Sequence, residues 1–249
     1  MTVPATTAQP WRAPLAEIPV RGRVVVEIAS GCPVDSGRTD DAGRPFDAVV
    51  AAAFLAAAAV STGTVVVLDW PRTSPTTADG PSIDDRIRFV LADMGVYVVR
   101  SVEGLTATSR STSGDLRGGR FDLTDAPRLL PLTLVLAAMA ETPSAVSGLD
   151  RSDPVVTAVT ANIRDAGAGL EWVGDDLLVQ PRALRGGRWS TSGDVDVAMA
   201  GAVLGLRIPE VRLDDITPVL DVLPAFDDRW LRLLWADEHL LPGTSTWHA

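Results

Sequence analysis

Hydrophobic and polar positions along this chain keep two periods that recur in one order. A β-branched run at 23–28 reads as a strand, and the Gly, Pro, Asp and Ser of 29–45 read as a loop. An Ala-rich helix is predicted over 47–61, stopping at Gly63, followed by a strand over 64–68. Beyond a loop carrying Trp70, Pro71 and Arg72, the positions Ile83, Ile87, Val90 and Leu91 keep helical spacing. They predict a second helix over 82–94 with Gly95 as its C-cap. Short strands at 96–99 and 105–108 finish the unit.

The order then repeats. A helix over 126–140 has Pro127 in its first turn, a strand covers 145–149, and Asp153-Pro154 opens a second helix as N-cap acceptor and first-turn proline. Strands at 170–173 and 177–180 close the copy. Gly95 and Gly167, like Leu105 and Leu177, stand 72 positions apart, which marks an internal repeat. A third, trimmed copy fills 189–235. Strands mixed with helices in related units predict an α/β (α+β) domain. The rival, a doubly wound nucleotide-binding sheet, lacks a glycine-rich phosphate loop after any strand.

Composition narrows the function. With 249 residues, 46% of them hydrophobic, the chain can bury a full core in one large domain or two small ones. A net charge of -10 argues against nucleic acid or an anionic membrane, because either polyanion needs a clustered basic surface. Small molecules or proteins remain as partners. Residues 1–19 hold no apolar stretch behind a basic start, and the apolar run 48–60 is too short to span a bilayer, so the expected location is cytoplasmic. Cys32 is the only cysteine, which excludes an internal disulfide, and His239 and His248 lie near the C-terminus without ligand-like companions. No metal and no cofactor are expected. All 22 basic side chains are Arg; the chain has no Lys.

Several segments carry a resemblance. Residues 184–189 (Leu-Arg-Gly-Gly-Arg-Trp), Asp194-Val195-Asp196-Val197-Ala198-Met199-Ala200, Gly205-Leu206-Arg207, Asp214-Asp215-Ile216 and Leu223-Pro224-Ala225-Phe226 follow in order the C-terminal end of actinobacterial 5-enolpyruvylshikimate-3-phosphate (EPSP) synthases. Residues 60–65, Trp70-Pro71-Arg72 and the stretch from Asp122 to Ala138 resemble earlier parts of the same half, so the likeness covers about 47–234. It implies a single EPSP-synthase-like domain over 21–237. Three repeated βαβαββ-type units, about 46–108, 119–181 and 187–237, would stand in a pseudo-threefold, inside-out α/β barrel. Residues 22–28 would be the N-terminal strand and 29–45 a linker in place of the family's second domain. Flanking these are a flexible segment, 1–20, and a tail, 238–249.

The resemblance also implies that carboxyvinyl transfer is lost. The family moves an enolpyruvyl group from phosphoenolpyruvate to a shikimate hydroxyl, using cations on phosphate and carboxylate and carboxylates for proton transfer. GC-rich coding explains Lys replaced by Arg, but not basic positions turned acidic. Ser30 falls near the place of a Lys, and Arg128 takes the place of an acid/base Asp. Ser152 and Val155 replace the Glu and Arg of a Glu-Thr-Asp-Arg motif. Val195 and Asp196 replace the His and Arg of the Asp-His-Arg-Met-Ala-Met-Ala signature, and Asp221 replaces a Lys. Each cation exchanged for a carboxylate turns an attraction of about 4 kcal/mol, at about 4 Å and an effective dielectric of about 20, into a repulsion.

Two function classes follow. In the first, a repurposed small-molecule enzyme of specialised metabolism, Asp196 and Asp221 serve as general bases or chelate a divalent cation. Arg72, Arg128 and Arg151 then form an anion pocket with Ser30, Ser152 and Asp194 beside it. Against each stands a plainer reading: Asp194 as a helix cap after Gly193, Asp196 and Asp221 as solvated acids, and the arginines as exposed solubilising charges. In the second class the bare half-cleft binds another chain, as a homodimer, a protein-docking module or a half-enzyme completed by a partner. The tryptophans are expected in the core, while catalysis by Cys32, His239 or His248 is disfavoured.

Overall fold

The computed structural model describes residues 11–12, 23–26, 47–68, 70, 83–111 and 113–234. Ser30, Arg72, Cys32, His239 and His248, the linker 29–45 and the tail 238–249 lie outside them.

The first unit runs β2 (Arg23–Val26), α1 (Ala48–Ala59), β3 (Thr64–Leu68), α2 (Ile83–Asp93), β4 (Tyr97–Arg100) and β5 (Gly104–Thr108). Its strands lie in the order β2-β3-β5-β4, with β2 parallel to β3 and the other pairs antiparallel. The second unit repeats this: β6 (Arg120–Asp122), α3 (Leu130–Ala138), β7 (Ser144–Ser147), α4 (Pro154–Asp165), β8 (Gly169–Val173) and β9 (Asp176–Gln180), ordered β6-β7-β9-β8. The third has β10 (Arg188–Trp189), α5 (Val195–Arg207), β11 (Arg212–Leu213), α6 (Thr217–Val222) and α7 (Phe226–Leu234). Among the described residues it carries no hairpin after β11. The place taken by β5 and β9 in the other sheets is filled by β1 (Trp11–Arg12), antiparallel to β11. The segment 1–20, expected to lie outside the domain, therefore contributes a strand, because pairing with β10 leaves the other edge of β11 open.

The repeat is visible in local chemistry. Gly95 and Gly167 both have positive φ, 93° and 106°, and each ends a helix with the same pair of bonds. Val96 N–H reaches the Leu91 carbonyl and Ala168 N–H the Ile163 carbonyl, both at 2.9 Å, the long bond of a Schellman turn that only a left-handed residue permits. The helix expected over 126–140 departs from prediction at its start: Pro127–Leu129 form a 3-10 turn before α3. Pro131 has no N–H to donate to Pro127, so the α-helical ladder restarts at Leu130.

Helix α1 is apolar on every side and α3 is so but for Thr133, every residue of both is buried, and α5 is buried from Asp196 to Leu206. A helix without a polar face belongs inside a core, and α5 packs against both α1 and α3, with the sheets outside. Alternate strand residues point inward: Val24, Val65 and Ala107 lie in register and are buried, whereas Val25 is 47% exposed. Trp70, Trp189 and Trp230 are in the core as expected. Phe54 of α1 meets Phe226 and Trp230 of α7 edge-on, at 6.2 and 5.1 Å between ring centres.

Candidate functional site

The three buried helices start close together, and their capping chemistry brings the charges there. Asp47 is the N-cap of α1: one carboxylate oxygen accepts from the Val49 and Val50 amides at 2.9 and 3.2 Å. Asp194 caps α5 in the same way, accepting from Val197 N–H at 2.9 Å. Asp196 sits in the first turn of α5, where a negative charge is favoured by the helix dipole. Arg128, in the 3-10 turn ahead of α3, spans the gap. Its Nε and Nη2 donate to the two oxygens of Asp196 at 2.9 and 2.8 Å, and Nη2 also donates to the free oxygen of Asp47 at 3.0 Å.

The two carboxylates are buried, 7% exposed each, while the Arg128 side chain is 45% exposed. Burial pushes the Asp196 carboxyl up to about 6; Arg128 pulls against this, and the like charges of Asp194 and Asp47 add to the rise. Arg128 stays firmly charged, since Asp196 and Asp47 outweigh the burial that opposes its charge. The Arg128 side chain keeps contact with water, whereas the Asp196 side chain is only 9% exposed. The cluster thus offers a fixed cation facing solvent and a carboxyl that titrates near neutrality.

Of the other expected residues, Arg151, Ser152 and Asp221 are described, and each makes its contacts elsewhere. Arg151 lies with its guanidinium 4.2 Å from the centre of the Trp172 ring and donates to the Gly174 carbonyl, so it serves the β8–β9 turn. Among the described residues Arg151 and Arg128 thus make their contacts in different places. Ser152 closes a turn, donating through N–H and Oγ to Asp150 at 2.8 and 2.7 Å. Asp221 is exposed on α6 and makes no hydrogen bond or ion pair with Asp196. Nor does Asp196 act as a bare repulsive charge: Arg128 compensates it. Asp47 was missed as a site residue. Its signal was an acid directly before an apolar run, but nothing in the sequence pairs it with Arg128, 81 positions away.

Two clefts of about 310 Å³ lie elsewhere, one under Val25, Leu68 and Arg232, the other between Asn162, Arg185 and Trp189. Neither includes the Arg128 cluster. Among the described residues no group of His, Cys, Asp or Glu is arranged to hold a metal ion, and no helix is long and apolar enough to cross a membrane.

Comparison with known proteins follows the same outline. The sequence model of EPSP synthase (3-phosphoshikimate 1-carboxyvinyltransferase) matches residues 43–230. A 3-phosphoshikimate 1-carboxyvinyltransferase of Kocuria rhizophila is 34% identical over 188 residues, which is 74% of this chain and 40% of that protein. Two structures of EPSP synthase from Acinetobacter baumannii share the fold with a TM-score of 0.62, at 17% and 18% identity, covering 76% of this chain and 46% of theirs. The chain spans less than half the length of these relatives. The matched stretch contains Asp47, Arg128 and Asp196 alike, and the chain belongs to the EPSP synthase family.

Proposed function

We propose that this family member does not transfer a carboxyvinyl group and that the cluster at the starts of α1, α3 and α5 handles a different small polar or anionic molecule. Arg128 orients the molecule and Asp196 moves a proton. The observation that carries the reading is the exchanged ion pair. Where the resemblance implies an Asp ahead of α3 and an Arg in the first turn of α5, this chain has Arg128 and Asp196, bonded through two hydrogen bonds. The exchange keeps the helices joined but reverses the polarity presented to a ligand. A carboxyl titrating at about 6 suits general acid–base work near neutrality, whereas a polyanionic donor would face Asp47, Asp194 and Asp196 with one guanidinium.

The test is direct. Purified chain given shikimate-3-phosphate and phosphoenolpyruvate is expected to release no phosphate; formation of EPSP would overturn the reading. In a screen of small anions and polyols followed by NMR at the Arg128 Nε–H, a ligand is expected to shift that signal, and calorimetry is expected to show its binding lost in Arg128→Gln. A second reading, a half-site completed by another chain, is favoured by the openness of the cluster, which lies outside both clefts with the Arg128 side chain 45% exposed. It predicts activity only after a partner protein is added.

A further inference from the structure

Arg128 is held in a forked arrangement that also serves to recognise ligands. A guanidinium donating through Nε and Nη2 to two oxygens of one carboxylate is the fork used for carboxylates and phosphates in binding sites. Here the oxygens belong to the protein's own Asp196, at 2.9 and 2.8 Å. The donor and acceptor are unequally placed: Asp196 is buried, while Arg128 is nearly half exposed and its Nη1 makes no hydrogen bond among the described residues. An anion arriving from solvent meets the guanidinium first. It also meets the starts of three buried helices, whose dipoles favour negative charge.

We propose that Asp196 is an internal anion occupying an oxyanion site on Arg128, and that the site opens to a carboxylate or phosphate-type group from solution when Asp196 takes up a proton. The proton goes to a carboxyl oxygen of Asp196, which loses its charge, and the incoming anion restores the balance around the guanidinium. Where Asp196 is ionised beforehand, one proton is therefore taken up for each anion bound. Asp47 keeps its contact to Nη2 at 3.0 Å throughout, so the guanidinium remains aimed at the helix starts.

The charged surroundings of Asp196 fit such a gate. Arg128 faces it from the turn before α3, Asp47 from the start of α1 and Asp194 from its own helix. The charged groups of the other elements packed on α5 make no hydrogen bond or ion pair with it: Asp153, Arg164 and Asp165 on or capping α4, Asp221 on α6 and Arg212 on β11. Its protonation thus responds mainly to Arg128 and two neighbouring carboxylates. The burial that lifts its titration to about 6 places the opening in a mildly acidic range.

The inference rests on the reading of Arg128 as the anion-orienting group, but its test measures ion binding and not turnover. Calorimetry and the Arg128 Nε–H signal would follow methanesulfonate, standing for a phosphate-type group, and trifluoroacetate, standing for a carboxylate. Both probes stay ionised between about pH 5 and pH 7.5, so any pH dependence belongs to the protein. Affinity for at least one probe is expected to rise about tenfold per pH unit on acidification above about pH 6, with uptake of about one proton, and to level off below, where uptake ceases. The probe that binds better identifies the ligand class. Asp196→Asn is expected to bind equally across the range, Arg128→Gln not at all, and Asp194→Asn to keep the dependence on pH. Equal affinity of the parent protein at both ends of the range would overturn the proposal, as would failure of Asp196→Asn to bind or retention of pH dependence in it. If that variant does not fold, the pH course of the Arg128 Nε–H signal in the parent, with and without probe, decides by itself. Proton-coupled binding without any catalysed reaction would leave the gate standing and remove the enzyme reading; turnover without such binding would do the reverse.

Discussion

Asp196→Asn is expected to stabilise this protein at neutral pH, although it breaks an ion pair. Asp196 is 7% exposed, and folding raises its carboxyl from the ordinary 3.8 to about 6 with the attraction of Arg128 already included. Between these values the folded state holds more protons than the unfolded chain, so stability falls as pH rises through that window. The cost is complete above about pH 6 and absent below about 3.8. The gap corresponds to about 3 kcal/mol, and asparagine, with the same shape and no charge, removes it. For a domain of this size that is a rise in Tm of about 6 to 12 °C near pH 7.5, shrinking to nothing near pH 4. Thermal unfolding of parent and variant across this range, followed by circular dichroism, measures it. An Asp196→Asn protein less stable than the parent near pH 7.5 would refute the reasoning. It would mean that the Arg128 pair outweighs burial, as when a buried pair is broken at a cost of about 3–5 kcal/mol.

Two further outcomes test the scaffold that holds the cluster. A Cβ on Gly201 would come within 2.5 Å of the Trp189 indole, whose N–H donates to the Val197 carbonyl of α5 at 2.9 Å, so Gly201→Ala is expected to cost about 1–3 kcal/mol in denaturant unfolding. Asp214 accepts from Thr191 N–H at 2.8 Å, Ser190 Oγ at 2.9 Å and Thr191 Oγ at 3.1 Å. Burial alone would raise its carboxyl, but these donors hold it below the usual range. Asp214→Ala is expected to lose about 1–3 kcal/mol near neutral pH, and the difference from the parent should shrink as acid protonates Asp214 below about 3.8; a difference that persists unchanged there would remove the carboxylate from the account.

The sequence by itself determined the repeated units and most of their elements, because these follow from local patterns. β-branched runs, apolar helices, an Asp before each of α1, α4 and α5, and glycines at helix ends act over a few residues, and the duplicated spacing of 72 positions records them twice. It also showed, through resemblance, that positions 128, 196 and 221 carry unexpected charges. Only the tertiary structure decided how those charges combine. Asp196 meets Arg128 across 68 positions and Asp47 meets it across 81, because α1, α3 and α5 begin side by side inside the core. The same packing buries Asp196 enough to move its titration toward neutrality and leaves Asp221 in water. It also recruits Trp11–Arg12 to the third sheet. Pairing and burial depend on which helix starts are neighbours in space, and that is fixed by packing around a common core rather than by any local stretch of chain.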